Sequence, residues 1–275
     1  MSKRVLVDID NHVATVTLNR ADKRNAVDFE MFEGIAAAAT ELISNRSVRA
    51  VVLCGDGNDF CSGIDISVFG GEGIGVNGTD LLVPLTESDA KIFQQVAVCW
   101  RELPVPVIAA LQGSVFGAGF QIAMGADIRY AAPDVRTSIM EVRWGIIPDM
   151  GITVTTPGVV AEDRIRELAY TGRIVKAEEA ARLRLVTAIV DNPLASATAV
   201  AHDIAGKSPD AIRAIKRLIN ETWPRGAQAS LRLEADLQAD VMSGPNQREA
   251  VTANLEKRPP VFHDCLLYTS DAADE

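Results

Sequence analysis

Two small-residue turns in this chain could present backbone N–H groups to an oxygen that becomes negatively charged during a reaction. The first turn is Phe60-Cys61-Ser62-Gly63-Ile64-Asp65-Ile66, and the second is Gly117-Ala118-Gly119. A strand predicted over 105–111 leads to the second turn, which we expect to open directly into a helix. The first N–H groups of a helix lack internal partners, so they can stabilise an oxyanion together with the helix dipole. Alternatively, the glycines mark only close packing of a helix on a strand.

Two carboxylates follow the second turn. Glu141 lies 20 residues after Gln121, and Asp149 follows eight residues later at the edge of an apolar run. Burial there would raise their pKa values, which proton transfer near neutral pH requires. The alternative is that both are solvated loop carboxylates.

Other kinds of catalytic site find little support. The three histidines, His12, His202 and His263, do not have metal-ligand spacing, and the Walker and GxSxG patterns are missing. We therefore predict no metal site, and chemistry performed by carboxylates and backbone amides. The glycines of 73–78 match GxGxxG, which leaves a nicotinamide oxidoreductase as an alternative. A mobile loop is favoured because no strand precedes the pattern and no helix follows it.

Composition excludes further classes. The chain has 275 residues, 48% of them hydrophobic, and a net charge of −10. An acidic chain is unsuited to nucleic acid, and no apolar run reaches the length of about 18 residues needed to span a membrane. Four cysteines without CxxC spacing fit free thiols. These features predict a soluble cytoplasmic protein.

The elements that must position these residues alternate between strand and helix. The pattern predicts a hairpin over 5–18, a helix capped by Asp28, and β-β-α units up to residue 192. From 193 to 262 the pattern is helical, with one apolar helix face that needs a partner surface: Ile212, Ile215, Leu218 and Ile219. A capping box at 86–89 predicts another helix, which runs to about Glu102. Residues 263–275 lack periodicity, so we predict a non-native or disordered tail.

Several motifs in order resemble the enoyl-CoA hydratase/isomerase (crotonase) family from about Val5 to Phe262. They are Leu18-Asn19-Arg20, Lys23-Arg24-Asn25-Ala26, the two turns, Pro106-Val107-Ile108-Ala109-Ala110, Thr171-Gly172-Arg173-Ile174 and Lys257-Arg258-Pro259. The resemblance implies an α/β fold, a right-handed superhelix of β-β-α units with a C-terminal helical region. It also implies an acyl-CoA substrate and assembly as a homotrimer or a dimer of trimers.

The resemblance also assigns roles to individual residues. The N–H groups of Ile64 and Ala118 would hold the thioester oxygen of the substrate while an enolate forms. No cofactor is implied beyond the CoA that the substrate itself carries. The residues expected along that CoA are Arg24, Ala26, Ser62, Ile64, Asp65, Ile66 and Gly117.

The acid–base positions depart from the hydratase pattern. Hydratases of the family have glutamates at the positions of Gln121 and Glu141, and a glutamine cannot exchange a proton, although it can orient a water or the acyl group. Asp149 falls where the dienoyl-CoA isomerase branch has an acidic residue. Two carboxyls, expected on opposite sides of the acyl chain, favour double-bond isomerisation. Hydration by Glu141 alone and a catalytically silent acyl-CoA-binding protein are the alternatives.

Overall fold

The computed structural model describes residues 3–65, 92–222, 227–242 and 244–264. Within these ranges the strands are β1 (Val5–Asp10), β2 (Val13–Leu18), β3 (Ala50–Gly55), β4 (Val107–Leu111), β5 (Ser114–Phe116), β6 (Ile128–Ala131), β7 (Arg136–Ser138), β8 (Val175–Lys176) and β9 (Ala188–Ile189). The helices are α1 (Phe29–Ser44), α2 (Ile92–Glu102), α3 (Ala118–Gly125), α4 (Ile152–Thr155), α5 (Glu162–Thr171), α6 (Ala177–Arg182), α7 (Pro193–Ala205), α8 (Pro209–Thr222), α9 (Ala227–Met242) and α10 (Pro245–Glu256). Ile66, the glycine motif at 73–78 and the capping box at 86–89 lie outside the described residues.

The strands form two sheets. A six-stranded sheet has the order β1-β2-β3-β4-β6-β9, and a three-stranded sheet has the order β5-β7-β8. The hairpin β1–β2 is antiparallel, whereas the other neighbours in the large sheet are parallel. In two successive units, β4 with β5 and β6 with β7, the first strand joins the large sheet and the second joins the small one. This alternation is the β-β-α repeat that the sequence predicts.

Helices cover both faces of the large sheet. On one face, α1, α2 and α3 form a core around the fully buried side chains of Phe32, Trp100 and Phe120. On the other face, α7 packs against β3 and β4 through small residues, Ala197 and Ala201 among them. Since α7 completes the sheet's second face, it belongs structurally to the α/β core, and the division of the chain at residue 192 stays a prediction. None of the described helices is long and apolar enough to cross a membrane.

The helix cap that the sequence predicts at Asp28 is confirmed, and the structure has a second cap at Asn192, where the predicted helical region begins. The side chain of Asp28 accepts a hydrogen bond from the Met31 N–H at 3.0 Å, at the start of α1. The side chain of Asn192 accepts one from the Ala195 N–H at 3.0 Å, with proline as the first residue of α7. Each cap satisfies one N–H that the first turn of a helix leaves without a partner.

Two predicted details are wrong. The strand before the second turn begins at Val107 rather than Val105, and it does not lead straight to that turn, because β5 lies between β4 and the start of α3. Residues 114–116 extend because they pair with β7, which lies 20 or more residues further along the chain. That non-local pairing is not visible in local sequence patterns.

The apolar face of α8 is not packed on the core of its own chain. Ile215 and Ile219 are 50% and 46% exposed. The opposite, buried face instead contains Lys216, whose Nζ donates to the Trp100 carbonyl oxygen at 2.9 Å and lies 2.8 Å from Asp127 Oδ2. Burial lowers the pKa of Lys216, and the charge of Asp127 opposes that shift. The buried lysine thus anchors α8, while its apolar face remains free for another surface.

Candidate active site

Backbone hydrogen bonds tie the first turn to the second. The Cys61 N–H donates to the Ser114 carbonyl at 3.0 Å, and the Phe116 N–H donates to the Cys61 carbonyl at 3.0 Å. A Cβ atom at Gly119 would lie 2.5 Å from the Cys61 carbonyl oxygen, so only glycine permits this approach. The two turns that were 50 residues apart in sequence are therefore held side by side.

Gly117 sets the direction of the second turn. Its φ of +50° lies in the left-handed region that favours glycine, and its carbonyl accepts the Gln121 N–H in the first turn of α3. The Gly117 N–H itself donates to the Ser138 carbonyl at 2.9 Å. Ala118 is consequently the first residue of α3, and its N–H has no hydrogen-bond partner within the helix.

The two predicted donors meet in one cavity. Ile64 and Ala118 both line a cavity of about 100 Å³. Neither of their N–H groups donates a hydrogen bond to another residue that the structure describes. Two unpaired N–H groups at one cavity wall can bind an oxygen that gains negative charge.

Glu141 reaches the same cavity from the end of β7. It is the first residue of a 3₁₀ turn, Glu141–Trp144, and is 7% exposed. Its Oε1 accepts a hydrogen bond from Gln121 Nε2 at 2.6 Å, while its buried Oε2 contacts no partner among the described residues. Burial raises the pKa of Glu141 and the negative charge of Asp149 adds to that rise, whereas hydrogen bonds from its own backbone and from Gln121 oppose it.

Asp149 lines the same cavity from its rim. Its side chain is exposed to solvent, yet the surrounding atoms displace enough water to raise its pKa, against the effect of a hydrogen bond from its own backbone. The structure thus brings both predicted carboxyls and both predicted amides to one small space.

Gln121 lies behind the cavity wall rather than on it. The residue is fully buried, and its Oε1 accepts the Met150 N–H at 2.9 Å while its Nε2 donates to Glu141. The cavity wall does not include Gln121. These contacts favour neither orientation of a water nor contact with an acyl group, which were the roles considered from the sequence.

The residues expected along CoA are distributed around the first turn. Ser62 and Gly117 line the cavity. Arg24 is 67% exposed at its side chain and lies 3.8 Å from Asp59, and its carbonyl accepts the Ser62 N–H. Asp65 is paired with an arginine at 2.7 Å, Ala26 is buried, and Ile66 lies outside the described residues.

The sequence analysis gave no role to three residues that the structure places at or next to this site. Arg20 Nη1 donates to the Ala26 carbonyl at 3.0 Å and pairs with Asp65, which joins residues 20–26 to the end of the first turn. Asn25 is fully buried and donates to the carbonyls of Asp56 and Asp59. Met140 lines the cavity although no motif includes it. A polar pair such as Arg20 and Asn25 inside a turn motif was the available signal.

Comparisons with known proteins identify the family of this chain. The family model described as enoyl-CoA hydratase/isomerase matches residues 8–265. The 1,2-epoxyphenylacetyl-CoA isomerase of Escherichia coli is 30% identical over 95% of this chain and 99% of its own. The peroxisomal Delta(3,5)-Delta(2,4)-dienoyl-CoA isomerase of Arabidopsis thaliana is 29% identical over 92% of this chain and 93% of its own.

Comparison with solved structures supports the same family. The crystal structure of an enoyl-CoA hydratase from Bacillus anthracis superposes with a TM-score of 0.85 at 28% identity, covering 94% of this chain and 98% of that one. The two-sheet α/β architecture with its C-terminal helices is thus the crotonase fold. The chain belongs to the enoyl-CoA hydratase/isomerase family.

Proposed function

We propose that this member of the family moves a carbon–carbon double bond within the acyl group of a CoA thioester. The observation that carries the proposal is the presence of two carboxyls, Glu141 and Asp149, in the cavity that also holds the amides of Ile64 and Ala118. The side chain of Gln121 cannot exchange a proton, so it adds no third proton carrier to these two carboxyls. Isomerisation is well served by one group that removes a proton and a second that returns one at another carbon, and this pair supplies both.

The electronic steps follow from the positions of the groups. With a 3-enoyl-CoA, the ionised Asp149 removes a proton from C2, and the electron pair of the broken C–H bond forms a C1–C2 double bond. Negative charge then gathers on the thioester oxygen, which accepts hydrogen bonds from the Ile64 and Ala118 N–H groups. When the charge returns, a C2–C3 double bond forms, the C3–C4 double bond opens, and C4 takes the proton of Glu141.

The environments of the carboxyls support this assignment of roles. Glu141 is the more buried group, and burial disfavours its charged form, so it is suited to start protonated. Asp149 is exposed and can exchange its proton with water after each turnover. Once product has left, Asp149 releases to water the proton that it took and Glu141, which lines the emptied cavity, takes one from water, so both groups return to their starting states without any further reactant.

Binding of the CoA moiety is proposed along the first turn. The exposed guanidinium of Arg24 is accessible to a phosphate, and the neighbouring segment from Ser62 to Asp65 leads into the cavity. A local basic group suffices to hold one phosphorylated ligand on an otherwise acidic protein. The reaction as written uses no cofactor besides the CoA of the substrate.

Hydration of a 2-enoyl-CoA is the second candidate. Glu141 is the only one of the two carboxyls that is both buried and beside the amide donors, and a single carboxyl could activate water and then protonate C2. The Bacillus anthracis neighbour is named a hydratase. This candidate leaves Asp149 without a role in proton transfer.

A panel of acyl-CoA thioesters separates these reactions. The purified chain, ended after Phe262, is incubated with 2-enoyl-, 3-enoyl- and 3,5-dienoyl-CoA, and absorbance and product mass are followed. The proposal expects 3-enoyl- or 3,5-dienoyl-CoA to be converted at unchanged mass with growing conjugated absorbance. A gain of one water on 2-enoyl-CoA alone favours hydration, and binding without turnover favours the silent homologue.

The substitution Ala118→Pro tests the oxyanion assignment. Proline lacks the N–H, but the first position of a helix tolerates it, because that N–H has no partner within the helix. We expect kcat to fall about 100- to 1000-fold, as found when one oxyanion donor is removed. Ala118→Ser keeps the N–H and serves as the control. Wild-type turnover by folded Ala118→Pro protein would contradict the assignment.

Assembly of the chain as a homotrimer or a dimer of trimers is also proposed. The half-exposed Ile215 and Ile219 support it, since they belong to an apolar face of α8 that the described part of the chain leaves partly exposed. Light scattering coupled to size-exclusion chromatography should give three or six times the chain mass. A cytoplasmic location stays a prediction.

A further inference from the structure

We propose that Gln121 is a positioning residue that fixes both proton-transfer carboxyls at once and selects Oε2 of Glu141 as the atom that exchanges the proton. This inference rests on the proposed isomerase function, because it assumes that both carboxyls take part. Gln121 itself is not among the residues that line the cavity, so it is expected to act through its neighbours rather than by contact with the substrate.

The amide nitrogen of Gln121 determines which oxygen of Glu141 carries the proton. An amide NH₂ group can donate hydrogen bonds but cannot accept them. Because Gln121 Nε2 donates to Oε1 at 2.6 Å, Oε1 is held as an acceptor, whether the carboxyl is neutral or ionised. The proton of the neutral form therefore belongs on Oε2, which lies buried with no partner in the described part of the chain.

The amide oxygen of Gln121 holds the backbone next to Asp149. The other end of the same amide, Gln121 Oε1, accepts the N–H of Met150 at 2.9 Å. Met150 is the next residue after Asp149, so this hydrogen bond fixes the backbone from which the Asp149 side chain projects. One fully buried amide thus connects the segment that carries Glu141 with the segment that carries Asp149.

A glutamine suits position 121 better than a carboxyl or an apolar residue would. A carboxyl at position 121 could still accept the Met150 N–H, but it would have to share a proton with Glu141. Two carboxyls that close do not ionise independently. An apolar residue would fill the space but leave the Met150 N–H and Oε1 of Glu141 without partners. Only an amide satisfies both neighbours while leaving Glu141 a single, defined proton.

The test compares Gln121→Leu and Gln121→Glu with the wild-type chain. Gln121→Leu loses both hydrogen bonds, whereas the nearly isosteric Gln121→Glu keeps an acceptor for Met150. Gln95→Leu is the matched control, since Gln95 is also a buried glutamine but its Nε2 contacts Glu102 at 3.4 Å. The measured quantities are kcat, KM and the pH dependence of kcat on the substrate found with the panel.

We expect kcat of Gln121→Leu to fall about 10- to 100-fold, the size expected for losing a hydrogen bond to a charge-bearing group, with KM within about 3-fold of wild type. The Gln121 hydrogen bond lowers the pKa of Glu141. Its loss should therefore move the alkaline limb of the pH profile, where Glu141 ionises, to higher pH. Asp149 is the charged group among the described residues that acts on Glu141, so its limb is followed in the same profile.

In Gln121→Glu the alkaline limb should also move to higher pH, because one proton is shared between two carboxyls. Gln95→Leu should keep the wild-type profile. A purely structural role for Gln121 would instead lower stability or active fraction and leave both limbs where they are. Wild-type kcat and limbs in folded Gln121→Leu and Gln121→Glu would overturn the inference.

A measurement without substrate separates this inference from the proposed function. The ¹³C resonance of the Glu141 carboxyl, assigned by its loss in Glu141→Gln, is titrated in wild type and Gln121→Leu. A higher pKa in Gln121→Leu supports the positioning role even if the panel finds no isomerase activity. An unchanged pKa overturns it even if the isomerase activity is found.

Discussion

Glu141→Gln is expected to lower kcat by about 100- to 10,000-fold, the range that general acid–base groups contribute, with KM nearly unchanged. The substitution keeps the size of the side chain and an oxygen that can accept the hydrogen bond from Gln121 Nε2. What it removes is the transferable proton of the carboxyl, since an amide nitrogen does not give a proton to carbon. Steady-state kinetics on the best substrate of the panel measures the effect. Unchanged kcat would remove Glu141 from the proposed reaction.

The same variant provides a check on folding, with a definite sign. The pKa of Glu141 is raised in the folded chain, so its favourable contribution is fully present below the unfolded pKa, about 4.3. That contribution is lost as pH rises through the folded pKa, because the buried group must then ionise.

Glutamine does not ionise, so the stability of Glu141→Gln relative to wild type should be greater at pH 8 than at pH 4. The gain should be about 1.4 kcal/mol for each unit by which the pKa is raised. Urea unfolding at the two pH values measures this difference. An inactive variant that is also less stable at pH 8 would indicate loss of folding rather than of a proton donor.

Local elements were readable from the sequence because their causes are local. The cap of α1 by Asp28 and the proline at the start of α7 depend on residues within one turn of each other. Alternation of apolar residues marks β1 and β2 because each strand has one face against the core. Patterns of this kind predicted the alternation of strands and helices up to residue 192, but they did not predict β5.

Features that depend on distant partners were not readable. β5 forms because it pairs with β7, and Lys216 can be buried because Asp127 and the Trp100 carbonyl come from elsewhere in the fold. The periodicity of α8 identified its apolar face correctly. It did not predict that the face with Arg213 and Lys216 packs against the core while Ile215 and Ile219 stay half exposed.

The candidate site likewise combines features that were predicted from the sequence with features that were not. The sequence indicated the two turns, Glu141 and Asp149 as candidates, and the family resemblance supplied their expected roles. It did not predict that Gln121 would contact Glu141 and Met150, which lie 20 and 29 residues away in the chain. A buried amide acquires its role from its partners, and those are known only once α3 is packed against the 149–151 turn.

Asp149→Asn is expected to have the other large effect, and it separates the two candidate reactions. In the proposed isomerisation Asp149 removes the first proton, so an amide in its place should lower isomerase kcat by about 100- to 10,000-fold. The exposed position of Asp149 makes loss of folding from this substitution small. Asp163→Asn, a substitution of an exposed aspartate at the start of α5, is the matched control and should leave kcat unchanged.

The pH profile sharpens this test. If Asp149 is the base, activity of the wild-type chain should rise with pH as Asp149 ionises, and that acid limb should begin above the usual range of an aspartate, because desolvation raises its pKa. The residual activity of Asp149→Asn should lack that limb. If Asp149→Asn instead retained full activity and the limb, a single carboxyl would be doing both proton transfers. Hydration by Glu141, with its one buried carboxyl beside two amide donors, would then be the better account of this site.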